Sequence, residues 1–526
     1  MTPPTKPLGL SPEHNHAADR RRRIIVQYDA MGNDMSPLTE SVGEWLSHGF
    51  RYVDEPGSQI DSVFWDCAYG NYASYPSEVL PPSPHPAVRQ WLEGGVDWMS
   101  VFVEQTHRRG LEAFWHHRIA EVDVGAAGLE RDQTNPIKQA HPEWLLRTWW
   151  WQGLWNLSVA KVREFKVAVL RELAERYDFD GFQLDFARHV PVLPVGRQWE
   201  LREHVTELTR LVRRMLLEVA AKRGRPLLLA AKVPRNFTNC RADGFDVETW
   251  VREGLVDLLT LGSRSFDVDV AAFRETLGPG VKLYPCIDDH HASDGYRNPP
   301  AEVFRGVATN WWQQGADGIV AFNWHAAPPE VYAAKGATPG PVSQQLAYHE
   351  LGSPKTLAGK SKVFPVERRG GYPWAEGAFN QNADAQLPAL LRYDGTPAAI
   401  ALWCGERRDE AGIAEPSLTV RVTLSHAEPG DQVEATLNGQ RLANPTTDHD
   451  WKDPQIPSPG QPARPSGGDG NYRVDPQQKL CLMTWTADPA AVKTGRNEVC
   501  LSVLRQAPHL CRQLCVEKVE LHLGEQ

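Results

Sequence analysis

Eight times between residues 24 and 325 a short apolar run is followed by an amphipathic segment, and this rhythm limits the possible folds more than any other feature of the chain. The runs are Ile24-Ile-Val-Gln-Tyr28, Asp61-Ser-Val-Phe-Trp-Asp66, Leu111-Glu-Ala-Phe-Trp-His-His-Arg118, Gly181-Phe-Gln-Leu-Asp185, Pro226-Leu-Leu-Leu-Ala-Ala-Lys-Val233, Leu255-Val-Asp-Leu-Leu-Thr-Leu261, Val281-Lys-Leu-Tyr-Pro-Cys-Ile287 and Ala316-Asp-Gly-Ile-Val-Ala-Phe-Asn-Trp-His325. Strand-sized runs alternating with helical periodicity predict βα units around a parallel sheet. Eight of them in about 300 residues is the count and size of a TIM barrel.

After about residue 359 the texture changes to short alternating strands separated by turn residues such as Asn438-Gly439 and Thr494-Gly-Arg496. That pattern predicts an all-β sandwich or jelly roll. The expected organisation is therefore α/β and then all-β: a flexible segment at 1–22, a (β/α)8 barrel at 23–355, and a jelly-roll-like sandwich at 356–526. A Pro-, Gly- and Asp-rich insertion is expected at 444–471.

At 526 residues the chain is long enough for each of these units to bury its own core. A net charge of −10 argues against a nucleic-acid surface, and the one basic cluster, Arg20 to Arg23, reads as a solvated flank. No apolar run reaches the length of a membrane span, so no membrane partner is expected. Residues 1–19 lack the apolar core of a leader, which reads as cytoplasmic as written, or as periplasmic or secreted if a leader was trimmed. Eight scattered cysteines without CxxC spacing do not form a zinc ribbon. No nucleotide-binding glycine loop is present either, so no cofactor is expected.

Fifteen of the 19 tryptophans precede residue 330, with Trp149-Trp150-Trp151 and Trp311-Trp312 the densest clusters. Most should pack in the core, but flat aromatic faces are also what sugar rings stack on. The expected partner is an oligo- or polysaccharide, with a homo-oligomer left open.

The chemistry centres on the fourth run. Phe182, Leu184 and Phe186 alternate with Gln183 and Asp185, so the two sets face opposite ways. A carboxylate ending a strand built for burial is costly unless something compensates it, and in a barrel of parallel strands that end is where active sites sit. The structural alternative is an Asp that caps the next helix or pairs with Arg188. Glycosidic hydrolysis needs two carboxyl groups, one protonated and one ionised. Asp185 is the first candidate. Its partner is sought among Asp288 and Asp289 after the seventh run and Glu121 in the long third connection, with Asp29 and Asp66 at the exits of the first two runs. Trp65, Trp115, His116, Arg118, Gln183, Arg188, Lys232, Asn323 and Trp324 stand near strand exits and are candidates for substrate contacts. His290 and His291 beside Asp288 and Asp289 lack the spaced repeat of a dedicated metal site. Two rival readings remain open: a metal-assisted hydrolase or sugar isomerase, and a glycan-binding protein without catalysis.

Over residues 24–330 the chain resembles bacterial glycoside hydrolase-like barrels related to glycoside hydrolase family ten. The resemblance rests on Asp180-Gly-Phe-Gln-Leu-Asp-Phe-Ala-Arg188, His141-Pro-Glu-Trp-Leu-Leu146, Asn156-Leu-Ser-Val-Ala-Lys-Val-Arg-Glu164 and Gly244-Phe-Asp-Val-Glu-Thr-Trp-Val-Arg-Glu-Gly254. It implies a sugar-cleaving barrel with a catalytic Asp at the position of Asp185. This sequence departs from better-characterised clans in having no Glu at the exits of the fourth or seventh strands.

Overall fold

The structure is a computed structural model that describes residues 8–29, 41–66, 71–83, 86–120, 135–148, 152–187, 189–262, 265–288, 290–291, 296–297, 299–322, 342–368, 384–406, 416–453, 456, 479–508 and 513–525. Eight strands, β1 (Ile24–Asp29), β2 (Ile60–Asp66), β3 (Glu112–Arg118), β4 (Gly181–Asp185), β5 (Leu228–Val233), β6 (Leu258–Leu261), β7 (Lys282–Asp288) and β8 (Ile319–Phe322), close into a barrel in sequence order. Every neighbouring pair is parallel. The expected (β/α)8 barrel is what the chain forms.

Two apolar layers account for the barrel. Phe182 and Leu184 of β4 pack outward with residues of the surrounding helices, including Val162, Val169 and Leu170 of α2 (Ala160–Arg176) and Val205, Leu208 and Val212 of α3 (Glu203–Arg223). Ile25, Phe64, Phe114, Leu228, Leu258, Tyr284, Val320 and Phe322 form a second cluster that fills the interior. Phe114 stacks on Phe64 with ring centroids 4.5 Å apart. A Cβ on Gly181 would come within 2.3 Å of the Phe114 ring, so the glycine that opens β4 makes room for this filling. α2 starts at Ala160 behind Val159, and the Ser158 hydroxyl donates to Asn156 Oδ1 at 2.7 Å.

The foot of the barrel corrects two expectations. The N-terminal stretch is not a flexible segment from residue 8 onward, and of the basic cluster only Arg20 and Arg21 are exposed as a solvated flank would be, Arg23 being half-buried and Arg22 buried. Residues Pro12–Asp19 form α1, with Ser11 as N-cap and Pro12 in its first turn. Arg22 is fully buried, and its guanidinium makes a two-pronged bond to Glu112 at 2.7 and 2.8 Å while also donating to the Ala17, Ala18 and Arg20 carbonyls. His14 meets Asp257 at 3.0 Å, and Arg213 lies 2.8 Å from the same carboxylate. A buried charge is tolerable only when partnered in this way.

The second unit holds two antiparallel sheets. Its strands are β9 (Lys362–Pro365), β10 (Ala389–Leu390), β11 (Ala398–Cys404), β12 (Pro416–Ser425), β13 (Gln432–Leu437), β14 (Gln440–Leu442), β15 (Thr446–Asp448), β16 (Leu480–Thr486), β17 (Gly495–Arg505) and β18 (Cys515–Glu525). One sheet runs β9-β18-β12-β16-β15, with β10 also on β18, and the other β11-β17-β13-β14. Their inward residues share one core, including Val420, Val422, Leu437, Trp485, Leu501 and Leu521. The insertion begins with a paired strand, since β15 lies on β16, and its residues 457–478 lie outside the described residues.

The units meet along α4 (Ala301–Gln313). A Cβ on Gly306 would fall 1.9 Å from the Val363 carbonyl oxygen, so only glycine lets β9 lie against this helix. Asn310 then donates to the Trp403 carbonyl at 3.2 Å and accepts from Gly405 N at 2.7 Å. At the mouth end of the barrel, Tyr296 donates to Glu520 of β18 at 2.8 Å.

Candidate active site

Asp185 closes β4, and the strand period that sends Phe182 and Leu184 outward turns Gln183 and Asp185 into the barrel. Parallel register sets Asp185 beside Arg118 of β3 and Lys232 of β5. The His116 ring lies over both inward residues of β4. Its Nδ1 is 2.6 Å from Gln183 Oε1 and its Nε2 is 3.1 Å from Asp185 Oδ2. Asp185 Oδ1 accepts from the Ala187 N–H at 2.9 Å.

The surrounding amides fix the direction of these bonds. Gln183 Nε2 donates to Thr260 Oγ1 at 2.7 Å, which leaves its Oε1 as acceptor, so the His116 Nδ1 carries a proton. Lys232 Nζ donates to Gln27 Oε1 at 3.4 Å, and this turns the Gln27 amide nitrogen towards His116 Nε2 at 3.1 Å. Without a proton on Nε2, Gln27 donates to it. With one, Nε2 donates to Asp185 and forms an ion pair. The geometry offers both states at a single nitrogen.

Electrostatics settle which form of Asp185 is present. Burial alone would raise its pKa, because Asp185 is 1% exposed. The Lys232 charge, the hydrogen bond and charge of His116, and the Arg118 guanidinium together outweigh burial and hold the carboxyl well below the usual carboxylate range. Lys232 is itself fully buried, with its ammonium 3.7 Å from the centroid of the Phe322 ring. An ionised carboxylate with its cation therefore stands at the inner end of the mouth.

The structure gathers Gln183, Asp185, His116, Arg118 and Lys232 of the expected set. Lys232, expected near a sugar, is instead a buried counter-charge. Trp65 and Trp115 do not reach the mouth. Trp65 donates to Thr106 Oγ1 at 3.0 Å and packs on Phe50 and Phe102, while Trp115 packs on Tyr75 and Phe179. Both belong to the layer between strands and helices, because residues of their parity in β2 and β3 point outward. Asp29, Asp66 and Asp288 end β1, β2 and β7 at the same rim as Asp185, although their side chains lie outside the described residues. Asp289, Glu121, Arg188, Asn323 and Trp324 also lie outside them.

Sequence reasoning passed over Gln27 and Thr260. Each is a polar residue inside an apolar run, the same signal that singled out Asp185. His117 is fully enclosed on the outer face of β3, and neither of its ring nitrogens has a hydrogen-bond partner among the described residues. Burial, then the charges of Lys166 and His116, push its pKa well below the usual histidine value.

No family model matches the chain. A stretch of 113 residues is 25% identical to Glycosyl hydrolase YngK of Bacillus subtilis, covering 22% of this chain and 22% of that protein. The chain thus matches under a quarter of its curated relative's length. Among solved structures, the α-L-fucosidase isoenzyme 2 of Paenibacillus thiaminolyticus superposes over 63% of this chain and 48% of its own, with a TM-score of 0.40 and 14% identity. The PgaB (BpsB) glycoside hydrolase domain of Bordetella bronchiseptica covers 64% of this chain and 99% of its own, with a TM-score of 0.41 and 12% identity.

Proposed function

We propose that the chain is a glycoside hydrolase in which Asp185 acts as the ionised member of a carboxyl pair. The observation that carries this reading is the Asp185 carboxylate at the carboxyl end of β4, held ionised in a closed barrel by Lys232, His116 and Arg118. The similarity to a named glycosyl hydrolase over 113 residues supports it. The relation to family ten rests on the motifs quoted above.

A carboxyl group that stays ionised has no proton to give at neutral pH, so Asp185 takes the role of nucleophile or general base. The proton for the leaving oxygen then comes from another carboxyl at the rim. Asp288 is the first candidate, since β7 stands three strands round the barrel from β4, with Asp289 and Glu121 next. A pair about 5 Å apart would retain anomeric configuration, and one about 6.5–9.5 Å apart would invert it. His116 faces Asp185 Oδ2 at 3.1 Å and, tied to Gln183 through Nδ1, holds that oxygen in place.

The test is a panel of aryl glycosides and polysaccharides, assayed for released aglycone or reducing ends with and without chelator. Hydrolysis that survives chelator and responds to substitution of Asp185 supports the reading. Activity lost with chelator supports a metal-assisted hydrolase, and glycan binding with no released ends a binding protein.

A further inference from the structure

At the foot of the seam between the units a cleft of about 270 Å³ is lined by Thr309, Trp312 and Gln313 of α4, by Pro354 and Leu357 of α5 (Pro354–Leu357), and by Ala358, Lys362, Gly405 and Glu406. α4 runs from the carboxyl end of β7 towards the start of β8, so its last turn is about 20 Å from the mouth. The cleft is therefore separate from the Asp185 site.

We infer that this cleft is a second saccharide site, which binds one neutral pyranose unit of a glycan chain. Its walls and floor differ in chemistry. Trp312 is pinned by its Nε1, which donates to the Leu351 carbonyl at 2.8 Å, so the indole meets the cleft as a fixed apolar surface beside Leu357 and Pro354. Such a wall suits the C–H face of a sugar ring. The floor carries Lys362, 1% exposed, with its ammonium 2.7 Å from Glu406 Oε2 and 3.2 Å from the Lys360 carbonyl. Among the described residues the ammonium donates to the Lys360 carbonyl, and Glu406 Oε2 pairs with it by charge without a hydrogen bond, so both groups keep capacity for a ligand. Gln313 Oε1 accepts from Trp403 Nε1 at 3.0 Å, which leaves its amide N–H groups to donate. The Thr309 hydroxyl gives its proton to the Arg305 carbonyl at 2.7 Å and can only accept from a ligand.

Donors (Lys362, Gln313) and acceptors (Glu406, Thr309) thus stand beside an apolar wall, the mixture that a pyranose with its hydroxyls and C–H face requires. The Lys362–Glu406 pair is neutral overall, so an anion would meet the carboxylate and a cation the ammonium. An apolar side chain would offer neither of them a hydrogen-bonding partner. The volume falls just below the roughly 300–1,000 Å³ of sites for drug-sized ligands, which fits one ring rather than an extended chain.

This inference takes its ligand class from the proposed function, and the experiment separates the two. Methyl α- and β-glycopyranosides of glucose, galactose, N-acetylglucosamine and fucose are titrated into the full chain by ligand-observed saturation-transfer NMR. The same titration is run on Ala358→Trp, which fills the cleft from its rim, and on Gln313→Ala, with thermal melting to confirm folding. The expected result is millimolar binding of at least one glycoside, weakened about tenfold or more in both folded variants. No binding up to about 50 mM, or binding within twofold of the parent in both variants, overturns the site. Release of aglycone from aryl glycosides is followed in parallel; it judges the mouth alone, so its absence beside cleft binding defeats the proposed function and not this inference.

Discussion

His116 Nε2 lies 3.1 Å from Asp185 Oδ2, and His116 Nδ1 is tied through Gln183 to Thr260, so one imidazole links the carboxylate to the amide network that crosses the barrel. The ionisation of Asp185 is therefore a property of the whole interior, and it can be altered without touching Asp185 itself.

Lys232 is the largest of the charges that keep Asp185 ionised. Lys232→Met removes the largest of these charges while burial, which opposes ionisation, stays, so the carboxyl should gain protons at higher pH. The acid limb of the pH–rate profile should move up by about one unit or more. The side-chain 13C shift of Asp185 reports the same titration without any substrate.

His117 stays neutral in the fold, because burial and the charges of Lys166 and His116 oppose its proton. The unfolded chain takes up that proton below about pH 6.5, so wild-type stability is lost as pH falls through that value. His117→Leu removes this dependence. In urea unfolding, the difference in stability between pH 7.5 and pH 5.5 should shrink by about 1.4 kcal/mol relative to wild type.

Glu520 ties the sandwich to the barrel loop through Tyr296 and also bonds His522 Nε2 at 2.8 Å. Burial would raise its pKa, but His522, then Lys518 and Tyr296, bring it down to about 2. A depressed carboxyl stabilises the fold above its ordinary pKa and loses that contribution as pH falls towards the folded value. Glu520→Gln should cost about 2 kcal/mol at pH 7, and the gap to wild type should narrow below about pH 4.5 and close near pH 2. Denaturant unfolding at a series of pH values measures it.

The strand count and the inward carboxylate at the end of β4 were legible because apolar runs mark strands and a carboxylate inside one is costly. Which side of each strand faces the barrel was not. Strands buried on both faces read as apolar throughout, so nothing local separates Trp115, which packs under helices, from His116, which faces Asp185. The interior set is decided by register, which aligns His116 with Gln183 and Asp185 with Lys232 across sequence separations of 67 and 47 residues. The N-terminal helix carried its signal in Ser11-Pro12, but its place was set by the burial of His14 and Arg22 against Asp257 and Glu112. In the sandwich the alternation showed the strands, while their pairing order depends on contacts far apart in the chain.

The most direct measurement is kcat/KM of Asp185→Asn beside wild type on the best substrate of the glycoside panel, with thermal melting to confirm that the barrel is intact. The nearly isosteric amide keeps the Ala187 contact but carries no charge, so a nucleophile or base at this position predicts a loss of about 1,000-fold or more with the fold retained. A folded Asp185→Asn variant within a few-fold of wild type would contradict the assignment.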